Sequence, residues 1–365
     1  MNRGPVAEID LSALQNNLAV VRKIVRKRAV IAVVKADAYG HGAAAVSRAL
    51  TAEGITHLAV AFTGEARVLR ASGITVPIIV LFDRSDIHDY FDLSLTPVVS
   101  DRRAAAAFSS EAARRSTVMS VHLKIDTGMG RLGVQAGAAA SEAVAIAGME
   151  GIKLAGLMSH FSEADLADRS YALEQIKAFE EIRKTVVTRL GHPVLCHMAN
   201  SAAALSLHDA LFDAVRPGIL LYGCSPFEED FGLKPVMKVK THILALRRLS
   251  KGQPVSYGRT FVTRRESLIG VIPAGYADGF NRLFSNNAEV LVRGRRAPVA
   301  GKVCMDLTMI DVTGIQDVSE GDEVVLLGGQ AGETITAREM ASRINTIPYE
   351  IITSLGSRAR REYIS

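Results

Sequence analysis

The segment VVKADAYGHG at residues 33–42 ends a short apolar run at Lys35 and follows it closely with Gly40 and Gly42. Lys35 thereby falls at the C-terminal end of a buried strand, with a glycine-rich turn leading into the next helix, the position where (β/α)8 barrels build their active sites. A strand-end lysine more often snorkels its ammonium to water. Held in partial desolvation, it becomes an amine fit for nucleophilic and acid–base chemistry. Farther on, Ser201 opens a helix after one apolar run, and Gly218 and Ile219 follow another. Backbone N–H groups and helix N-termini at such places bind phosphate, although Ser201 would serve equally as a plain N-cap. Arg216, at the end of the last of these runs, reads by itself as a surface ion-pairing residue, and Tyr257, among strands and turns, as a packed aromatic.

The elements that must position these residues alternate regularly. Asp10 is an N-cap for a helix in which Leu11, Leu14, Leu18, Val21, Ile24 and Val25 recur at helical spacing up to a basic end at Lys27 and Arg28. Short apolar runs at 29–34, 57–61, 77–81, 97–99, 118–125, 152–158, 194–197 and 213–216 then alternate with helical patterns at 41–53, 64–72, 102–115, 137–147, 171–190 and 201–208. Such runs, buried on both faces and separated by helices, make a parallel sheet. About eight of them in about 200 residues favour a closed barrel over a doubly wound sheet, and no G-x-G-x-x-G follows the first run to support a dinucleotide fold. Beyond about residue 233 the pattern changes to strands at 239–249, 267–272, 290–292, 308–312 and 323–327, with turns at 251–252 and 320–321 and a helix at 335–344. The expected fold is α/β: an N-terminal (β/α)8 TIM-type barrel in 1–232 and a mostly β domain in 233–365. Residues 1–10 are a candidate to pair with that second domain.

Composition narrows the function classes. With 48% hydrophobic and 22% charged residues the chain is neither disordered nor a coiled coil. Lys and Arg number 43 against 38 Asp and Glu, a net +5 with no uninterrupted basic block, so no nucleic-acid partner is expected and a small anion fits better. Cys196, Cys224 and Cys304 form no CxxC and no Cys/His cluster; no metal is expected, and reduced thiols suit the cytoplasm. Glu8 and Asp10 interrupt any secretory segment, and no apolar stretch reaches the ~18–20 residues of a membrane span, so the expected protein is soluble, cytoplasmic and without a membrane partner.

The lysine segment belongs to a longer series. Together with LKIDTGMGRLG (123–133), SHF (159–161), ANSA (199–202), VRPGI (215–219), LYG (221–223), VSYGRTF (255–261), GYADG (275–279), VCMD (303–306) and IPYE (347–350), it resembles, in order and from end to end, the motifs of the alanine racemase family of fold-type III enzymes. The resemblance implies that Lys35 carries pyridoxal 5'-phosphate (PLP) as a Schiff base. It implies that Tyr39, Ser201, Gly218, Ile219 and Tyr349 hold the phosphate, with His160 and Asn200 also at the cofactor. Arg216 faces the pyridine nitrogen, to which a guanidinium cannot give a proton, so the ring is a weaker electron sink than one partnered by an acid.

Racemisation removes a proton from one face of Cα and adds one to the other, so two bases on opposite faces are the economical design. The resemblance assigns them to Lys35 on the D-alanine side and Tyr257 on the L-alanine side, with His160, backed by Arg216, beside the phenol. Arg131 and the Met305 backbone N–H hold the substrate carboxylate, while Tyr276 and Tyr349 narrow the entrance. Lys124 ends the fifth strand and Arg131 lies just past the turn at 128–130, so two cations meet at the barrel mouth. Carbamylation of Lys124, also carried from the resemblance, would turn that repulsion into a forked ion pair; the alternative is a plain amine paired with Asp126. Because Tyr257, Tyr276 and Met305 lie in the β domain and Lys35 in the barrel, the resemblance implies a head-to-tail homodimer with shared sites. The expected activity is interconversion of L- and D-alanine, an isomerase reaction supplying a peptidoglycan precursor. A racemase acting mainly on serine or another small amino acid, a non-catalytic PLP-binding protein and a fold-related decarboxylase remain as alternatives.

Overall fold

The computed structural model describes residues 4–83 and 85–365. Strand β1 (Val6–Asp10) leads into α1 (Leu11–Val25), whose Ala13 N–H donates to the Asp10 carboxylate at 2.9 Å. Leu14, Leu18, Val21 and Val25 form its buried stripe. There follow β2 (Ala29–Val33), α2 (Lys35–Tyr39), α3 (Ala43–Ala52), β3 (His57–Val60), α4 (Thr63–Ala71), β4 (Ile78–Val80), α5 (Ile87–Asp92), β5 (Leu95–Val99) and α6 (Arg102–Arg114). Next come β6 (Met119–Asp126), β7 (Val134–Gln135), α7 (Ala136–Ala147), β8 (Ile152–Met158), α8 (Ser170–Leu190), β9 (Leu195–His197), α9 (Ser201–Ser206) and β10 (Ala214–Val215).

β2 to β6 and β8 to β10 pair in parallel as an eight-stranded closed barrel. Closure is made where β10 meets β2, with Ala214 opposite Ala29, and where β5 meets β6, with Val98 opposite His122. Strands such as Ala29–Val33 and Ile78–Val80 are apolar throughout because they are buried towards both the barrel interior and the helices.

The rest of the chain comprises β11 (Met237–His242), β12 (Ala245–Leu249), β13 (Pro254–Val255), β14 (Phe261–Val262), β15 (Ser267–Ile272), β16 (Glu289–Val292), β17 (Arg295–Pro298) and β18 (Thr308–Asp311). It ends with β19 (Glu323–Gln330), β20 (Glu333–Ile335), α10 (Ala337–Arg343), α11 (Pro348–Arg358) and β21 (Arg360–Ile364). β1 lies between β11 and β21 in a seven-stranded sheet of this second part, pairing antiparallel with one and parallel with the other. Of the candidate pairing segment 1–10, residues 1–3 lie outside the described residues.

Three local readings differ from the structure. The run at 239–249 is two strands: Ile243 donates to Asp322 O and Leu244 to Val271 O, which passes the chain from the sheet of β11 to that of β12. The polar stretch after β4 contains the short helix α5, and a second C-terminal helix, α11, follows α10. α11 matters most, because it carries Tyr349 back to the barrel. No helix among the described residues is long and apolar enough to cross a membrane.

Candidate active site

The chain leaves β2 through a turn of unusual hand. Ala36, Asp37, Ala38 and Tyr39 have φ of 52, 52, 54 and 54°, so α2 is a left-handed turn of four residues that carry Cβ, a conformation costing roughly 1–2 kcal/mol per residue. Its polar groups are held from three directions. The Ala36 N–H donates to Glu65 Oε1 at 2.5 Å, the Ala43 N–H to Asp37 Oδ1 at 2.7 Å, and Arg361 of β21 pairs with Asp37 at 2.7 Å while donating to Gly40 O at 2.8 Å. Gly40 is needed where α11 closes on the turn, since a Cβ there would lie 2.8 Å from Ile352 O.

The turn brings Lys35 and Tyr39 to a hollow of about 190 Å³ at the C-terminal mouth of the barrel. Lys124, Arg131, His160 and Arg216 line it from β6 onward, and Asn200, Ser201, Gly218, Ile219 and Tyr349 complete it. Asn200, rather than Ser201, caps α9, accepting the Ala203 N–H at 2.9 Å. The Ser201 hydroxyl is therefore free to accept the Gly218 N–H at 3.0 Å. A Cβ on Gly218 would stand 2.3 Å from the Tyr39 hydroxyl, so that glycine opens the floor beneath the phenol. Tyr39 packs against Tyr222 at 4.8 Å and Tyr349 at 6.0 Å between ring centroids, and Tyr222 anchors the group by donating to Val33 O at 2.9 Å.

Lys35, Lys124, Arg131 and Arg216 line the hollow, and no carboxylate does among the described residues. Cations gathered in a low-dielectric cleft attract anions. Burial first, then the Arg131 charge, lowers the Lys35 pKa, while Glu65 opposes the shift. For Lys124, 3% exposed, burial followed by Arg216 and Arg131 brings the pKa down to about 7. The Asp126 carboxylate accepts the backbone N–H groups of Gly128, Met129 and Gly130, and no ion pair joins it to Lys124 among the described residues. Burial, then Arg216, drives His160 down to about 2, so its ring is neutral. Arg216, lowered by burial to about 9, keeps its charge at neutral pH. Its Nη2 donates to Ser159 O at 2.6 Å and Met198 O at 3.1 Å.

Three of the residues expected at the site lie elsewhere. Tyr257 and Met305 line a separate open hollow with Ser256 and Cys304, sharing no residue with the hollow at Lys35. They are 71% and 54% exposed, and within one chain Tyr257 does not stand beside His160. Tyr276, 41% exposed, likewise does not line the Lys35 hollow; its N–H donates to Cys304 O at 3.0 Å. Gly275 permits this close approach, since a Cβ there would lie 2.2 Å from Met305 O. The Met305 N–H has no hydrogen-bond partner among the described residues.

The sequence reading missed Phe82 and His197. Phe82, two residues past β4, lies 5.7 Å from both the Lys35 ammonium and the Arg131 guanidinium, facing both cations with an aromatic ring. His197 accepts Arg216 Nη1 on its Nδ1 at 2.6 Å. The available signal for His197 was a polar residue at the buried end of an apolar strand.

With this geometry, residues 9–226 match the family described as alanine racemase, N-terminal domain, and residues 236–363 match alanine racemase, C-terminal domain. The chain belongs to the alanine racemase family. Within that family it is 51% identical over 368 residues to the alanine racemase of Thermodesulfovibrio yellowstonii, covering 100% of this chain and 99% of that protein. It is 43% identical over 364 residues to that of Halothermothrix orenii, covering 98% and 96%. Among solved structures, the alanine racemase of D-cycloserine producing Streptomyces lavendulae matches with a TM-score of 0.94 at 33% identity, over 100% of this chain and 98% of that one. The Bacillus anthracis alanine racemase with bound L-Ala-P matches with a TM-score of 0.92 at 35% identity, over 100% and 96%.

Proposed function

We propose that the chain interconverts L- and D-alanine by a two-base mechanism in which Lys35 of one subunit and Tyr257 of the partner work on opposite faces of Cα, with PLP held on Lys35. Alanine racemisation, an isomerase reaction, is the activity of its family. The observation that carries the finer reading is the cationic hollow around Lys35, which a hydroxyl, a loop of glycine and isoleucine and two tyrosines line together with the amine. These residues fit the cofactor: Tyr39, Ser201, Gly218, Ile219 and Tyr349 would hold its phosphate, with Asn200 and His160 beside it and Arg216 at the pyridine nitrogen. When bound, PLP supplies the electron sink that makes the Cα proton removable.

Lys35 Nζ takes the proton on the D-alanine side, and burial favours the neutral amine that this requires. Tyr257 Oη takes it on the L-alanine side. The exposure of Tyr257, Met305 and Tyr276 supports a head-to-tail homodimer in which the β domain (233–365) of one subunit covers the barrel (1–232) of the other. In that arrangement Arg131 and the Met305 N–H, which has no partner among the described residues, hold the substrate carboxylate. His160 and Arg216 adjoin the phenol, and Tyr276 and Tyr349 restrict the side chain to a small one. Lys124 carries a carbamate that grips Arg131. This is supported by an amine shifted to about 7 by burial and the charges of Arg216 and Arg131, with no ion pair to a carboxylate among the described residues. Reduced thiols at Cys196, Cys224 and Cys304 support a cytoplasmic enzyme, with D-alanine for peptidoglycan as its product. A racemisation assay across alanine and serine, with and without added PLP, tests the reading. Turnover independent of PLP, or faster on serine than on alanine, would overturn it.

A further inference from the structure

We propose that His122 is a positioning residue for Arg216, acting through His197. The hydrogen bonds run in one direction. Arg216 Nη1 donates to His197 Nδ1 at 2.6 Å, and His197 Nε2 lies 2.9 Å from His122 Nδ1. A guanidinium only donates, so His197 Nδ1 must offer a lone pair and the His197 proton must sit on Nε2. That proton then needs an acceptor, which is His122 Nδ1, and this leaves the His122 proton on its own Nε2. One choice at Arg216 thus fixes both tautomers, and an acceptor at residue 122 keeps the His197 ring turned towards the guanidinium.

The barrel is built to seat this ring. His122 is two residues before Lys124 on β6, so both project to the barrel interior, with His122 one layer below the mouth. Branched aliphatic residues usually fill such a layer; here two imidazoles do. The β6–β8 register shifts at this point: Val121 pairs with Leu154 but His122 pairs with Gly156, leaving Ala155 as an extra residue on β8. Gly156 has no left-handed backbone to explain it. A Cβ there would instead stand 2.7 Å from Cγ and Cδ2 of the His122 ring. Bulge, glycine and hydrogen bond converge on one side chain. Burial, then His57 and Arg216, lowers His122 to about 3, and burial with Arg216 takes His197 well below its usual range, so both rings stay neutral acceptors and donors at working pH.

The inference rests on the reading that Arg216 serves racemisation, and the experiment separates the two. Nitrogen-15 NMR of histidine-labelled holoenzyme should show His197 with Nδ1 unprotonated between pH 6 and 8. A protonated Nδ1 overturns the proposal whatever the activity, whereas an enzyme that binds no PLP overturns the functional reading instead. His122→Leu, which fills the space without an acceptor, should lower kcat roughly tenfold, with KM within about twofold and an altered absorption spectrum of the bound cofactor. His122→Asn, whose Oδ1 can take the place of Nδ1, should restore the spectrum and most of kcat. Equal loss in both variants, or none in either, overturns the positioning role. Gly156→Ala, which crowds the ring, should reproduce the leucine effect; full activity with an unshifted His197 resonance counts against it.

Discussion

Isotopically labelled bicarbonate should mark Lys124. Its amine lies at the barrel mouth, 3% exposed, with two guanidinium groups as neighbours and no hydrogen bond or ion pair among the described residues. An ordinary lysine is neutral in roughly 3 molecules of 10⁴ at pH 7, whereas one lowered to about 7 is neutral in about half. The nucleophilic form is therefore about 10³-fold more abundant. The neutral amine adds to CO2, forming an Nζ–C bond as one C=O π bond opens onto oxygen and releasing one N–H proton to water. Counted from the ammonium, two protons leave and a cation becomes an anion beside Arg131. The enzyme equilibrated at pH 8 with ¹³C-bicarbonate should show one enriched carbonyl resonance per chain, absent from Lys124→Ala. The variant should lose roughly 100-fold in activity, with partial rescue by acetate. The sign of the pH dependence gives a second check. In CO2-free buffer the folded chain sheds the Lys124 proton near 7 while the unfolded chain holds it to 10.5, so thermal stability should rise from about pH 7 towards 10.5. Saturating bicarbonate should raise that stability further without reversing the slope, because it adds to the folded neutral amine with loss of water and no net change in proton count. An absent resonance between pH 7 and 9, or a fully active Lys124→Ala enzyme, refutes the reasoning.

Borohydride reduction followed by peptide mapping should place the pyridoxyl group on Lys35, and its recovery on any other lysine would remove the barrel assignment. Tyr257→Phe should still exchange the Cα hydrogen of D-alanine with deuterated solvent while forming little L-alanine; equal loss of exchange from both enantiomers would point to a single base. Dilution into the monomer range should abolish activity before PLP is released, and mixed Lys35→Ala and Tyr257→Phe chains should regain part of it through hybrid dimers with one intact site. No recovery after verified subunit exchange would place both bases in one chain. Gly218→Ala, whose new methyl would meet the Tyr39 hydroxyl at 2.3 Å, should weaken PLP affinity by roughly tenfold or more with the thermal midpoint of the apoenzyme little changed, as read by equilibrium titration.

The periodicity of the sequence was enough for the barrel, because strands buried on both faces must be apolar throughout and helices between them must carry an apolar stripe. The motifs along the chain likewise singled out Lys35, Ser201, Arg216 and Gly218, which the fold brings to one hollow. Residue pattern could not reveal the left-handed turn at Ala36 to Tyr39. Nothing in Ala-Asp-Ala-Tyr prefers positive φ, and the turn exists because Glu65, Arg361 and α11 hold it from segments 29 to more than 300 residues away. The break between β11 and β12 is of the same kind, set by Asp322 and Val271 across the sheets. His122 and His197 were visible only as polar letters in apolar strands, until a bulge and Gly156 brought the two rings together. Tyr257 was named as a base from its motif, yet the folded chain leaves it exposed and away from Lys35. Local propensity and periodicity are carried by neighbours along the chain, so they can be read from it; the hand of a turn, a side chain's tautomer and the meeting of two domains depend on groups distant in sequence, and only the tertiary structure brings those together.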